Sequence, residues 1–152
     1  MKRFPAFLLA VFCLASTTVR ANEIEEFFSE AKKSDILSHD LGPVSKDVSK
    51  LLGKEIEFKV DWKSFKGSSF NGSEELGSTI QTMAEVFHNM AEKAEDLKLL
   101  KDKLKSVNFR NTKNPVPGMT ASKGNLTVEG QYGNLQWSKA GRVSDLVRKA
   151  LK

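Results

Sequence analysis

Glu85, His88 and Glu92 lie in the segment EVFHNMAE at spacings of three and four residues. On a helix these side chains converge, and Glu-x-x-His is half of the ligand set that carboxylate-bridged dimetal proteins build between helices. That chemistry needs ligands facing inward from several helices and a second Glu-x-x-His. The chain has two histidines in all, and the other, His39, stands in SHDLG. The surrounding periodicity decides the matter. Leu76, Ile80, Met83, Phe87, Met90, Ala94 and Leu97 form a helical apolar stripe. With Leu76 at zero and about 100° per residue, the stripe centres near 340°, while His88, Glu92 and Glu85 fall at about 120°, 160° and 180°. The three polar side chains belong to the face opposite the core, so no metal site and no cofactor is expected.

Other catalytic constellations are weaker still. Ser38, His39 and Asp61 supply the residue types of a hydrolytic triad, but no nucleophile elbow or glycine-rich oxyanion loop accompanies them. Asp61 borders a strand and has no partner carboxylate marked by spacing. The reading leans away from an enzyme, with a hydrolase of unmarked active site kept as an alternative.

The elements that position these residues follow from local patterns. The chain opens MKRFPAFLLAVFCLASTTVRA, with a basic start, a short apolar run and small residues at Val19-Arg20-Ala21. This is the layout of a secretory signal cut after Ala21. Residues 1–21 are read as signal peptide and 22–152 as a single domain, exported to a periplasm or secreted. No segment reaches the roughly 20 apolar residues of a membrane span. The one cysteine, Cys13, falls inside the signal, so the mature domain rests on its apolar core without disulfides.

Loss of Lys2, Arg3 and Arg20 lowers the formal net charge from +5 to +2, which removes most of the case for a nucleic-acid partner. The remaining charge is polarised. Residues 22–96 carry a net −7 and residues 97–152 a net +9. Two sequons occur, at Asn71-Gly72-Ser73 and Asn125-Leu126-Thr127. The second falls in an expected strand, which favours the periplasm over a glycosylating route.

Ile24, Phe27 and Phe28 suit a first short helix, and GPVSKDVSKLLG a second, with Pro43 at its start and Gly53 closing it. KEIEFKVDWKSF alternates with period two from Glu55 to Lys63, a strand with one apolar face. The long helix starts at Ser73 as N-cap. Unbroken to Lys105 it would be roughly 48 Å long, so a break is expected near Glu95–Asp96, with DLKLLKDKLK as a separate helix. SVNFRNT reads as a short strand. Leu126, Val128, Gly130 and Tyr132 form another, with a tight turn at Gly133-Asn134 into Leu135-Gln136-Trp137. Ser138 then caps a C-terminal amphipathic helix.

The order specifies an α+β fold. A small antiparallel sheet of three to four strands packs on the long helix, with additional N- and C-terminal helices. The function read from this is binding without catalysis, with another protein as partner, or an anionic surface or glycan. Candidate contacts are Phe65 and Phe70, which flank a Gly/Ser loop, and Lys98, Lys101, Lys105 and Arg110 in the basic segment 98–113. The alternative is carriage of an apolar ligand between helix and sheet by Phe58, Trp62, Phe65, Phe70, Met83, Phe87, Met90 and Phe109.

Overall fold

The computed structural model of the chain describes residues 33–65 and 70–152, with side chains described from residue 74 onward in the second segment. The signal segment 1–21 and the helix expected around Ile24–Phe28 lie outside what is described, as do the side chains at 70–73; the long helix begins at Phe70, so Ser73 stands inside it and is not its N-cap as expected. Residues Ile36–Lys152 form one compact unit.

The unit begins with a π-helical turn, Ile36–Leu41, that runs directly into α1 (Gly42–Leu52). Pro43 accounts for the wide turn: it offers no N–H to the preceding turn, and its ring would crowd the carbonyl of His39 in a regular α-helix. Gly53 closes α1 in the left-handed region at φ 66°, and its N–H and that of Lys54 return to Lys50 and Ser49. Val44, Val48 and Leu52 are buried.

Strand β1 spans Glu57–Val60, shorter than the alternation from Glu55 to Lys63 predicts. Past Asp61 the chain turns into a 3-10 segment, Trp62–Phe65. Ser64 causes this. Its hydroxyl donates to the Asp61 carbonyl at 2.6 Å and accepts the Asn111 N–H at 2.9 Å, replacing the ladder with a side chain.

Helix α2 (Phe70–Ala91) presents the predicted stripe, with Leu76, Ile80, Met83, Phe87 and Met90 all sealed from solvent. It stops earlier than expected. Lys93 is extended, and α3 (Ala94–Lys103) starts there with Glu95 and Asp96 in its first turn. Ala94 is consequently exposed, and Leu100 and Leu104 continue the core instead.

Strands β2 (Ser106–Asn111), β3 (Gly118–Ser122) and β4 (Asn125–Gly130) complete a four-stranded sheet in the order β1-β2-β4-β3. The sheet is open and mixed, not antiparallel as the sequence suggests. β1 pairs with β2 and β2 with β4 in parallel, and only β3 and β4 are antiparallel. The helical crossover between Val60 and Ser106 carries the chain back to the end of the sheet at which β1 starts, which makes β2 parallel to β1.

The tight hairpin also lies elsewhere than expected. Lys123 (φ 52°) and Gly124 (φ 89°) form the two-residue turn between β3 and β4, the left-handed pair that such hairpins require. The Gly133 segment leads instead to two short helices, α4 (Trp137–Ala140) and α5 (Val143–Leu151), separated at Gly141 (φ 86°).

The register sorts the sheet into two faces. Phe58, Val107, Leu126 and Ala121 align in one row, and Val60, Phe109, Val128 and Met119 in the next. These rows meet the helices: Phe58 packs edge-on against Phe87 at 6.3 Å and beside Phe109 at 6.1 Å. The other face is polar throughout, with Lys59, Asn108, Thr127 and Thr120 across its middle.

Candidate functional site

The six residues singled out in the sequence do not form one cluster. Phe65 is half-buried and packed on the core, its ring 5.0 Å from Tyr132 and 6.3 Å from Trp62. It is a wall of the structure. Phe70 is the first residue of α2, and its side chain lies outside the described part. Arg110 points to the polar face of the sheet and pairs with Glu129 on the neighbouring strand. Lys98, Lys101 and Lys105 do gather, at the end of the sheet where β1, β2 and β4 begin.

That end is built by three chain segments. α3 runs out at Lys103, with Leu104 turned inward, and Lys105 enters the sheet by donating its N–H to the Gly124 carbonyl at 2.8 Å. Gly124 lies so close to this crossing that a β-carbon there would meet the Lys103 carbonyl and the Lys105 side chain. The hairpin therefore brings Lys123 beside Lys103 and Lys105. From α1, Lys54 reaches across and donates to the Lys101 carbonyl at 2.5 Å.

The electrostatics are lopsided. Asp102 is the acid within this group, and it pairs with Lys98 at 2.8 Å. That hydrogen bond raises the Lys98 ammonium pKa and lowers that of the Asp102 carboxyl. Lys54 is lowered by burial first and by the Lys105 charge in addition, while Asp102 acts in the opposite sense. Among the described residues no ion pair holds Lys101, Lys103, Lys105 or Lys123, and all four are exposed. Lys54 and Lys123 were not legible as members of the group. Each is isolated in sequence, and only the parallel register brings their segments to the same edge.

The histidine motif resolves as its helical angle predicts. Glu85, His88 and Glu92 are all exposed. His88 Nε2 meets Asp47 Oδ2 of α1 at 2.6 Å, a surface contact between two helices. Among the described residues no group of three potential metal ligands comes together. No helix among them is long and apolar enough to cross a membrane. Asn125, the acceptor of the second sequon, is exposed at the first position of β4 and accepts the Ser106 hydroxyl at 2.9 Å. The chain matches no protein-family model, no curated protein and no solved structure.

Proposed function

We propose that the chain is an exported binding domain, without catalysis, that captures an acidic protein surface through the lysine-rich end of its sheet. One observation carries the reading: Lys101, Lys103, Lys105 and Lys123 stand at that end on two separate segments, exposed and without ion-pair partners among the described residues. Like charges gathered on a fold oppose its stability, and their field attracts and orients an anionic partner. The export signal read in residues 1–21 places that partner outside the cytoplasm.

Binding at the surface is favoured over carriage in the interior by the packing. Phe58, Met83, Phe87, Met90 and Phe109, which could line a carrier pocket, are 5% exposed or less, and their rings contact one another. They fill the space between helix and sheet themselves.

A photo-crosslinking residue in place of Lys103 tests the proposal in protein recovered from the exported fraction. Capture of a discrete acidic protein is expected, and Lys101→Glu combined with Lys105→Glu abolishes it while the far-ultraviolet circular dichroism is retained. Because the attraction is screened as the Debye length shrinks from about 10 Å at 0.1 M salt to about 3 Å at 1 M, capture by the unaltered surface falls steeply over that range. Undiminished capture by the charge-reversed variant overturns the proposal.

A further inference from the structure

A second site lies on the side of α2 facing the segment after β4. There a groove of about 480 Å³ opens to solvent, with Glu74, Glu75, Ser78 and Thr82 on its helical wall and Gly133 and Trp137 opposite. Helical spacing places Glu74, Ser78 and Thr82 on one line, each four residues from the next. All three are exposed.

The groove is held open by its own framework. The Glu75 carboxylate accepts the Gly133 N–H and, at 3.3 Å from each oxygen, the Leu135 N–H. Thr79 donates its hydroxyl back to the Glu75 carbonyl at 2.7 Å. Helix and loop are thus fixed to each other at the groove floor, and Trp137, at the start of α4, is half-buried and packed against the core. The loop glycine at this point, Gly133, adopts φ 97° and leaves the wall without a side chain.

The lining has a definite chemical sense. Among the described residues it contains one indole, two carboxylates and three hydroxyls, and no basic side chain. An indole face attracts a cation through its quadrupole, most strongly where water is partly excluded. A carboxylate across the groove adds to that attraction, whereas the two carboxylates repel an anion. The negative charge of Glu75 is felt locally: together with burial, the larger cause, it holds the neighbouring Tyr132 phenol far above its ordinary range.

We infer that the groove between α2 and Trp137 is a binding site for a small organic ammonium ion, with the indole as its platform and Glu74 and Glu75 as its counter-charges. The site is separate from the lysine-rich end and of opposite sign, so it takes a different ligand and stands or falls independently of the protein-binding proposal.

Trp137 reports on the test. The chain has two tryptophans, and Trp62→Phe leaves Trp137 as the single indole. Choline chloride is titrated against this variant at constant ionic strength, beside 3,3-dimethyl-1-butanol, the neutral molecule of nearly the same shape. A saturable change in Trp137 emission with choline is expected. The neutral analogue is expected to bind at least about tenfold more weakly, the factor that a cation–π contact with a facing carboxylate supplies. Ser78→Arg, which sets a fixed cation on an exposed helical position of the groove wall, abolishes the choline response without loss of helical circular dichroism. Equal binding of the neutral analogue overturns the inference, as does a linear, unsaturated response to choline up to about 10 mM, the range of the weakest specific sites. A choline response that survives Ser78→Arg places the ion elsewhere and overturns it equally.

Discussion

Arg148 of α5 clasps Asp96 of α3 with two parallel hydrogen bonds, Nε to Oδ1 at 2.8 Å and Nη2 to Oδ2 at 2.7 Å. The two residues are 52 apart in the chain, and Asp96 is only 4% exposed. Such a fork is the strongest form of a carboxylate–guanidinium contact. Asp145 holds the remaining Arg148 nitrogen, Nη1, at 2.7 Å. The C-terminal helix is thereby tied to the first turn of α3, where a carboxylate is also favoured by the helix dipole.

Asp96→Ala is expected to destabilise the domain by about 2 kcal/mol, the scale of hydrogen bonds to a charged group whose partner can partly rehydrate. The hydrogen bond from Arg148 is the first cause of the lowered Asp96 pKa, with the charges of Arg148, Lys93 and Lys152 adding to it against the cost of burial. A carboxyl lowered in the folded state stabilises above its unfolded pKa of about 3.9 and loses that contribution as pH falls through the folded value. Urea midpoints of wild type and Asp96→Ala should therefore differ most near neutral pH and converge in acid below that range. A gap independent of pH would remove the charge from the explanation.

Tyr132 gives a prediction of opposite sign. The residue is 4% exposed, and among the described residues its hydroxyl finds no hydrogen-bond partner. Its ring lies tilted against that of Phe65, the centroids 5.0 Å apart. A buried polar group left unsatisfied costs stability, so Tyr132→Phe keeps the packing and removes the penalty. The variant should be unchanged or more stable by up to about 1 kcal/mol in thermal or urea unfolding. A loss of stability would reveal a partner for the hydroxyl.

The elements legible in the sequence were those with a strong period and a single covered face. Helix α2 announced itself because Leu76, Ile80, Met83, Phe87 and Met90 repeat at helical spacing. β1 did so because Phe58 alternates with Glu57 and Lys59. β3 was hidden, since Gly118-Met119-Thr120-Ala121-Ser122 is an edge strand whose residues are half-buried or exposed, leaving no apolar alternation to read. Its turn, Lys123-Gly124, lacks the Asn or Asp that usually marks such hairpins. Strand direction could not be read from period at all: alternation is the same for parallel and antiparallel neighbours, and only the path of the helical crossover distinguishes them. The lysine-rich end was half visible, as the run Lys98 to Lys105, because Lys54 and Lys123 join it through tertiary register. The groove beside Trp137 left no trace, for it pairs a helix face with a loop some 60 residues away.

The hairpin glycine separates two costs that are usually mixed. Gly53 (φ 66°) and Gly124 (φ 89°) both sit in the left-handed region. A β-carbon at Gly53 would meet nothing within 4 Å, but at Gly124 it would lie 2.4 Å from the Lys103 carbonyl. Gly53→Ala should cost about 1 kcal/mol, the backbone preference alone. Gly124→Ala adds an overlap with rigid backbone, raising the expected cost to about 2–4 kcal/mol. Denaturant unfolding of the two variants checks the difference, and equal losses would mean that the β3–β4 turn shifts freely away from α3.

Phe87 and His88 are adjacent in sequence and, about 100° apart around α2, fall one on its buried and one on its exposed face, so they measure what each face contributes. Phe87 is sealed in the core with its ring against Phe58. Phe87→Ala leaves a cavity between helix and sheet and is expected to cost about 3–5 kcal/mol. The His88 and Asp47 side chains remain 46% and 53% exposed across their 2.6 Å contact. A pair so open to water adds little, and His88→Ala should change stability by less than about 1 kcal/mol. The same variant tests the chemistry that its spacing with Glu85 and Glu92 suggests. If His88 were an obligate ligand to a structural metal, its removal would cost far more than a surface contact, and a chelator would lower the wild-type unfolding temperature to match. Equal unfolding of wild type and His88→Ala, with and without chelator, assigns His88 to the solvated face of an ordinary amphipathic helix.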